Sequence, residues 1–249
     1  MKKFFGILAL AAFAALIPQH AYALSAVAQQ IQGEVLVAKA SAPENWQPIT
    51  QDTALQSGDS IKTRQGTCAL VYSDQAIFNM EANTTLTVSE KSDAIDINLL
   101  LGKIKGKVDH QKAEQPFAVT TPAAVATVRG TEVDFGFNDQ GQLTVDLHNG
   151  KIQVVNDAAE MKLDLDGKKS ITVFFDKDAN IIRVKNECGS EGTISFNVLG
   201  TDYSENPCEE KEVDLSTAEK GTDVPETFAA STEQENPDTG REPITDTTA

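Results

Sequence analysis

Between Val27 and Leu199 the chain alternates short apolar-rich runs with turn residues, at a spacing near ten residues. Examples are "GEVLVA", "CALVY", "TTLTV", "IDINLL", "FAVTT", "LTVDL", "KIQVV", "SITVFF", "NIIRV" and "TISFNVL". Alternation with period 2 places apolar side chains on one face of a strand, and no stretch after residue 23 repeats with a helical period. The pattern predicts an all-β protein, a sandwich or solenoid-like stack of short strands. Gly33-Glu34-Val35, Gly102-Lys103-Ile104 and Gly150-Lys151-Ile152 echo one another, each a glycine opening a strand, but the echo is too short for a strict repeat.

One hairpin can be registered from the pattern alone. In "EVDFGFNDQGQLTVDL" a three-residue loop, Asp139-Gln140-Gly141, pairs Phe137 with Leu143, Phe135 with Val145 and Val133 with Leu147. A four-residue loop would oppose Phe135 to Thr144 and scramble the faces. On the polar face the shorter loop sets Asp134 opposite Asp146 and Glu132 opposite His148. Upstream the phase breaks. Ala124, Ala126 and Val128 occupy even positions, whereas Val133, Phe135 and Phe137 occupy odd ones. A one-residue irregularity at Arg129-Gly130 is therefore expected, with Gly130 absorbing the backbone change. Arg129 is expected to turn its guanidinium onto carbonyls or a carboxylate freed by the bend; an anion-binding arginine is the alternative.

The ends of the chain read differently. Met1-Lys2-Lys3, an apolar stretch from Phe4 to Ile17 and Ala21-Tyr22-Ala23 have the form of a secretory signal peptide over residues 1–23. The mature protein is expected to begin at Leu24 and to be exported to the periplasm or beyond, with no membrane span. The net charge of −16 is uneven: residues 205–249 carry −10, which leaves −8 for residues 24–204 once Lys2 and Lys3 depart with the leader. Such a surface argues against nucleic acid and anionic lipid as partners. From Glu205 onward the acidic, apolar-poor composition predicts a disordered tail. In an oxidising compartment Cys188 and Cys208 are expected to pair, closing a short β extension over residues 187–204, while Cys68, in phase with Leu70 and Tyr72, is expected to be buried.

The motifs from Gly33-Glu34-Val35 through Trp46, "LQSGDSIKT", "ALVYSD" and "FAVTTPAAVATVRGTEVDF" to "GKIQVV" and "LDLDGKKSITV" resemble the FecR domain family. The most specific element is Thr121-Pro122 followed by Arg129-Gly130-Thr131. The resemblance covers roughly residues 27–185, within a body of 24–186. It implies an all-β, usually extracytoplasmic domain. The founding type of that family regulates a sigma factor for iron transport through a cytosolic segment, one membrane helix and a periplasmic part. Here the export signal starts at Met1, so neither the cytosolic segment nor the helix is expected and the regulatory role does not transfer. Asp74-Gln75 also departs from the usual Asp-Gly.

Catalytic chemistry is sparse in the sequence. Beyond the leader only His110 and His148 remain, and nucleophile-elbow, zincin, phosphate-loop and dinucleotide motifs are absent. No catalytic residue and no cofactor is assigned. Asp176, Asp178, Asn180 and Glu187 mimic the spacing of a calcium loop, but Ile181 stands where that loop needs glycine, so a hairpin turn is expected. Asp134 and Asp146 are a second weak cation candidate. The reading is a non-enzymatic, exported binding or sensor module with a protein or small-molecule partner in the cell envelope. A structural envelope scaffold is the alternative, and an unrecognised hydrolase the third.

Overall fold

The structure, a computed structural model, describes residues 26–72, 75–90, 95–109 and 116–217. The leader, Asp74, His110 and the acidic stretch from residue 218 lie outside the described residues. Every regular element among the described residues is a strand, and all belong to one continuous hydrogen-bonded sheet. The sheet folds over on itself, so that its pairings separate into two layers.

The first layer runs β4 (Thr53–Leu55), β1 (Ala26–Gln32), β6 (Thr67–Tyr72), β7 (Ala76–Met80), then half of each long strand β9 (Ile95–Val108), β11 (Val125–Phe137) and β12 (Gln142–Asn156). It ends with β14 (Lys169–Asp176), β15 (Ile181–Asn186) and β18 (Glu210–Asp214). The second layer runs β3 (Gln47–Pro48), β2 (Val35–Ala38), β5 (Ser60–Thr63), β8 (Thr85–Glu90), and the other half of β9. It continues through β10 (Phe117–Thr120), the other halves of β11 and β12, β13 (Met161–Asp166), β16 (Ile194–Val198) and β17 (Thr201–Glu205). Among the described residues only β9 and β10 pair in parallel; every other pairing is antiparallel.

The layers face each other across one apolar core. Tyr72 of β6 and Phe78 of β7 meet Phe117 of β10 with ring centroids 5.2 and 5.5 Å apart, joining the first layer to the second. Phe78 and Phe117 are fully buried, each contributing about 1.5–3 kcal/mol by burial alone.

The echoing glycines mark the corners where the chain passes between layers. Gly33 links β1 to β2, Gly102 divides β9, and Gly150 divides β12; all three have positive φ. At Gly150 (φ +101°) a Cβ would lie 2.6 Å from the Gly130 carbonyl oxygen, so the corner requires glycine for both its backbone angle and its close approach.

The irregularity read at Arg129-Gly130 falls at such a corner. Arg129 faces Lys151 and Val133 faces Leu147, with the register shifting on both sides of Glu132. β11 spends an extra residue at Gly130-Thr131, and β12 spends one at His148. The two bulges offset each other, so the hairpin keeps the pairs Phe137–Leu143, Phe135–Val145, Val133–Leu147 and Asp134–Asp146. The second bulge corrects one expected pair: Glu132 faces Asn149, not His148. The loop is closed by Asn138 and Gln142, with Gly141 at φ +78°.

The C-terminal boundary also moves. Residues 187–204 are not an appendage: Ile194, Phe196 and Val198 of β16 enter the common core, and β16 pairs with β13. Beyond Glu205, where composition predicts disorder, β18 pairs with β15 and buries Val213. The Cys188–Cys208 disulfide holds this strand to the loop after β15, with Cα atoms 4.4 Å apart. Two apolar residues, Val213 and the partly buried Leu215, with the pairing to β15 and a covalent tie, order a segment whose average composition is acidic. Cys68 is buried, and burial pushes its thiol up to about 11.

Candidate functional site

Along the second half of β9 the outward positions are Lys103, Lys105 and Lys107, all exposed. Their cross-strand partners on β11 are Gly136, Asp134 and Glu132. Two lysines thus face carboxylates, the favourable cross-strand arrangement. The third, Lys103, faces a glycine. Its side chain makes no hydrogen bond or ion pair with any described residue.

Gly136 forms the floor of a groove of about 700 Å³ on the outer face of the first layer. The lysine stem of Lys103 lies on one side of it, and Thr144 of β12 lies on the other. The Thr144 hydroxyl is likewise uncommitted among the described residues. One end of the groove is walled by Leu101 and the Glu81–Asn83 turn, and by the β11–β12 hairpin turn, where the Asn138 amide donates to Gln142 Oε1 at 2.9 Å. The other end is acidic. Asp134 and Asp146 face each other there, Asp146 accepting from the Ser170 hydroxyl and Asp134 lying 3.4 Å from His148 Nε2. Lys105 donates to Glu81 at 3.0 Å; that bond and charge, with the charge of Asp134, hold its ammonium above the ordinary lysine value.

The groove positions an unpaired cation, a free hydroxyl and two carboxylates along one strand direction. That chemistry can recognise a ligand carrying both charges. Among the described residues no three histidine, cysteine or carboxylate side chains converge as metal ligands. The Asp134–Asp146 pair lines the groove, with Lys105 and His148 as neighbours.

The other residues singled out in the sequence are dispersed. Thr121 and Pro122 form a turn before β11: the Thr121 hydroxyl donates to the Ala124 carbonyl at 2.9 Å and accepts from its amide at 3.2 Å. Asn156 donates to the Ala123 carbonyl at 2.6 Å, fixing that turn to the end of β12. Thr131 is buried behind the corner, and its hydroxyl lacks a partner among the described residues. Arg129 corrects the expectation placed on it: it is exposed, makes no bond with the described residues, and stands opposite Lys151. At the corner the Gly150 carbonyl accepts from the Gly167 amide at 3.3 Å. Asp176 accepts from the amides of Asp178 and Ala179 and so closes the β14–β15 turn, while Glu187, at the far end of that hairpin, accepts from Thr172 and pairs with Lys185. The calcium-like spacing is thus divided between two places.

Sequence reasoning missed Lys103, Gly136 and Thr144 as a unit. The signal was present as alternation, "GKIKGK" against "EVDFGF", but it becomes visible only once the two strands are registered against each other.

No curated protein matches this chain. Two crystal structures of a proposed anti-sigma factor from Parabacteroides distasonis ATCC 8503, at 1.65 and 2.50 Å resolution, are similar at 16% identity with a TM-score of 0.41. The similarity covers 60% of this chain and 60% of theirs, so the chain spans less than two thirds of the length of those solved relatives. The family model described as FecR protein matches residues 59–153, from just before β5 to within β12, and includes Lys103, Gly136 and Thr144; this segment is a FecR domain.

Proposed function

We propose that the protein is a non-enzymatic, FecR-like binding or sensor module that is exported and engages a partner in the cell envelope through the β9–β11–β12 groove. The observation that carries this reading is the coincidence of the FecR match with the strands that build the groove. The groove is of a size used for small ligands and peptide side chains. It offers recognition groups: an ammonium and a hydroxyl without partners among the described residues, and the facing carboxylates of Asp134 and Asp146. No helix among the described residues is long and apolar enough to cross a membrane.

Native mass spectrometry of the protein purified from its own envelope tests the reading. A stoichiometric partner that cross-links to residues of the groove supports it. Recovery of the protein free of any partner, or cross-links confined to the opposite layer, overturns it. The export component is tested by N-terminal sequencing of the periplasmic or secreted pool, with Leu24 expected first. Intact Met1 in a membrane fraction overturns that component.

A further inference from the structure

The glycine at position 136 has no structural reason to be glycine. Its φ is not positive, unlike those of Gly102, Gly130 and Gly150. A Cβ built on it would meet nothing closer than 3.7 Å, ordinary van der Waals contact with Lys103 and Thr144. Neither backbone angle nor crowding excludes a side chain. Yet this is the one position where the ladder of lysines on β9 faces no carboxylate. Glu132 and Asp134 oppose Lys107 and Lys105, and the third acid is missing.

We propose that the vacant place over Gly136 receives a carboxylate from a partner, and that the partner presents it on an extended peptide segment with an acidic and a basic residue two positions apart. This deepens the reading above and rests on it. Lys103 supplies the ammonium and Thr144 the hydroxyl donor, one on each side of the floor. Charge-assisted bonds of this kind are the strong ones. The second half of the motif follows from strand spacing. Gly136 and Asp134 are two residues apart on β11, about 6.8 Å, and side chains two apart on an extended peptide have the same separation. A segment running along β11 with its carboxylate at Gly136 therefore sets its next same-face side chain over Asp134 and Asp146. Those two face each other across β11 and β12, where like charges are mutually unfavourable and a cation relieves them. A second acid on the ligand, set over Asp134 and Asp146, meets repulsion. The site selects the spacing of opposite charges as well as charge.

Fluorescence anisotropy with labelled serine-based pentapeptides tests this. One probe carries glutamate and lysine two positions apart, a second carries two glutamates, a third is uncharged, and inorganic phosphate serves as competitor. The Glu/Lys peptide should bind the full chain at least about tenfold more tightly than the others, and less tightly as salt rises. Gly136→Asp, which completes the ladder internally, should abolish binding, and Lys103→Ala should weaken it at least about tenfold, with melting temperatures not lowered. Should Gly136→Asp fail to fold, Gly136→Ser takes its place. Equal affinity for the two-glutamate peptide, wild-type binding by the variants, or displacement by equimolar phosphate overturns the proposal. Native purification separates this failure from failure of the underlying reading. An envelope partner retained by folded Gly136→Asp refutes only the carboxylate site, whereas absence of any partner refutes the module.

Discussion

Replacing Asp59 by asparagine tests whether the Ser-Gly-Asp stretch of the sequence is a structural clasp. Asp59 is 3% exposed and lies between β4 and β5. Its Oδ2 accepts from the Gln56 amide at 3.0 Å and from Lys39 Nζ at 2.7 Å, and its Oδ1 accepts from the Ala40 amide at 3.0 Å. One carboxylate thus ties the end of β2 to the β4–β5 turn. Burial pushes its pKa up, but the Gln56 amide, Lys39 and the Ala40 amide outweigh that, and the net shift is downward. Asparagine keeps one acceptor and points an amide at a donor. One backbone amide loses its acceptor and the remaining bonds lose their charge assistance, a cost of about 2–4 kcal/mol. In a body of this size that is about 4–16 °C of melting temperature. Lys39→Met should cost under about 1 kcal/mol, because the lysine is 47% exposed and its pair is screened. The pH dependence has a definite sign. A depressed folded-state pKa gives stability that is present above the unfolded value, about 3.9, and is lost as pH falls through the folded value. The gap between wild type and Asp59→Asn should be constant from pH 7 to 5 and close below about pH 3.9. Thermal melts of both proteins across that range decide it. A shift below 2 °C at pH 7, or a gap that does not narrow as pH falls below about 3.9, refutes the clasp.

Reducing the Cys188–Cys208 bridge, which spans 20 residues, should lower stability by about 3 kcal/mol on the chain-entropy model, measured as a denaturant-midpoint shift with and without reductant. Gly150→Ala should destabilise by at least about 2 kcal/mol because of its positive φ and the Gly130 carbonyl, whereas Gly136→Ala should be neutral or stabilise by about 0.5–1 kcal/mol; matched urea melts compare the two. Arg129→Lys should change stability by no more than about 0.5 kcal/mol, since the guanidinium is exposed and unbonded among the described residues, and a large loss on thermal melting would restore the bend-satisfying role.

The strands and one full hairpin register were legible in the sequence because period-2 alternation and a turn glycine are local signals. Phe135 opposite Val145 needed nothing more than the Asp139–Gly141 loop length. The corner at Gly130 was legible as a broken phase. Its compensation at His148 was not, because a bulge on the partner strand leaves no mark until the two strands are paired, and so Glu132 was set against the wrong residue. The structural role expected for Arg129 failed for a related reason. Its flanks are apolar, but parity places the side chain itself on the outer face, opposite Lys151. Composition misjudged residues 205–217, where Val213, Leu215, the pairing to β15 and the Cys208 bridge order a segment that reads as solvated on average. The groove was illegible, since its members come from three strands and its defining feature is a missing side chain.

Glycine serves two opposed purposes in this fold, and the structure separates them. At Gly33, Gly102 and Gly150 the backbone turns from one layer to the other at positive φ, and at Gly102 a Cβ would meet Thr84 Cα at 2.5 Å. Those glycines are demanded by the chain's own path. Gly136 lies in a regular stretch of β11, between two register pairs that its neighbours keep without distortion, and a side chain there has room. A strand interior is weakened by a glycine that geometry does not need. Here the weakening coincides with an unpaired Lys103 and an unbonded Thr144 hydroxyl on either side of the same position. Three independent concessions of internal stability at one point of a sheet are difficult to account for by folding alone. They are what a sheet gives up when the missing partner comes from another molecule.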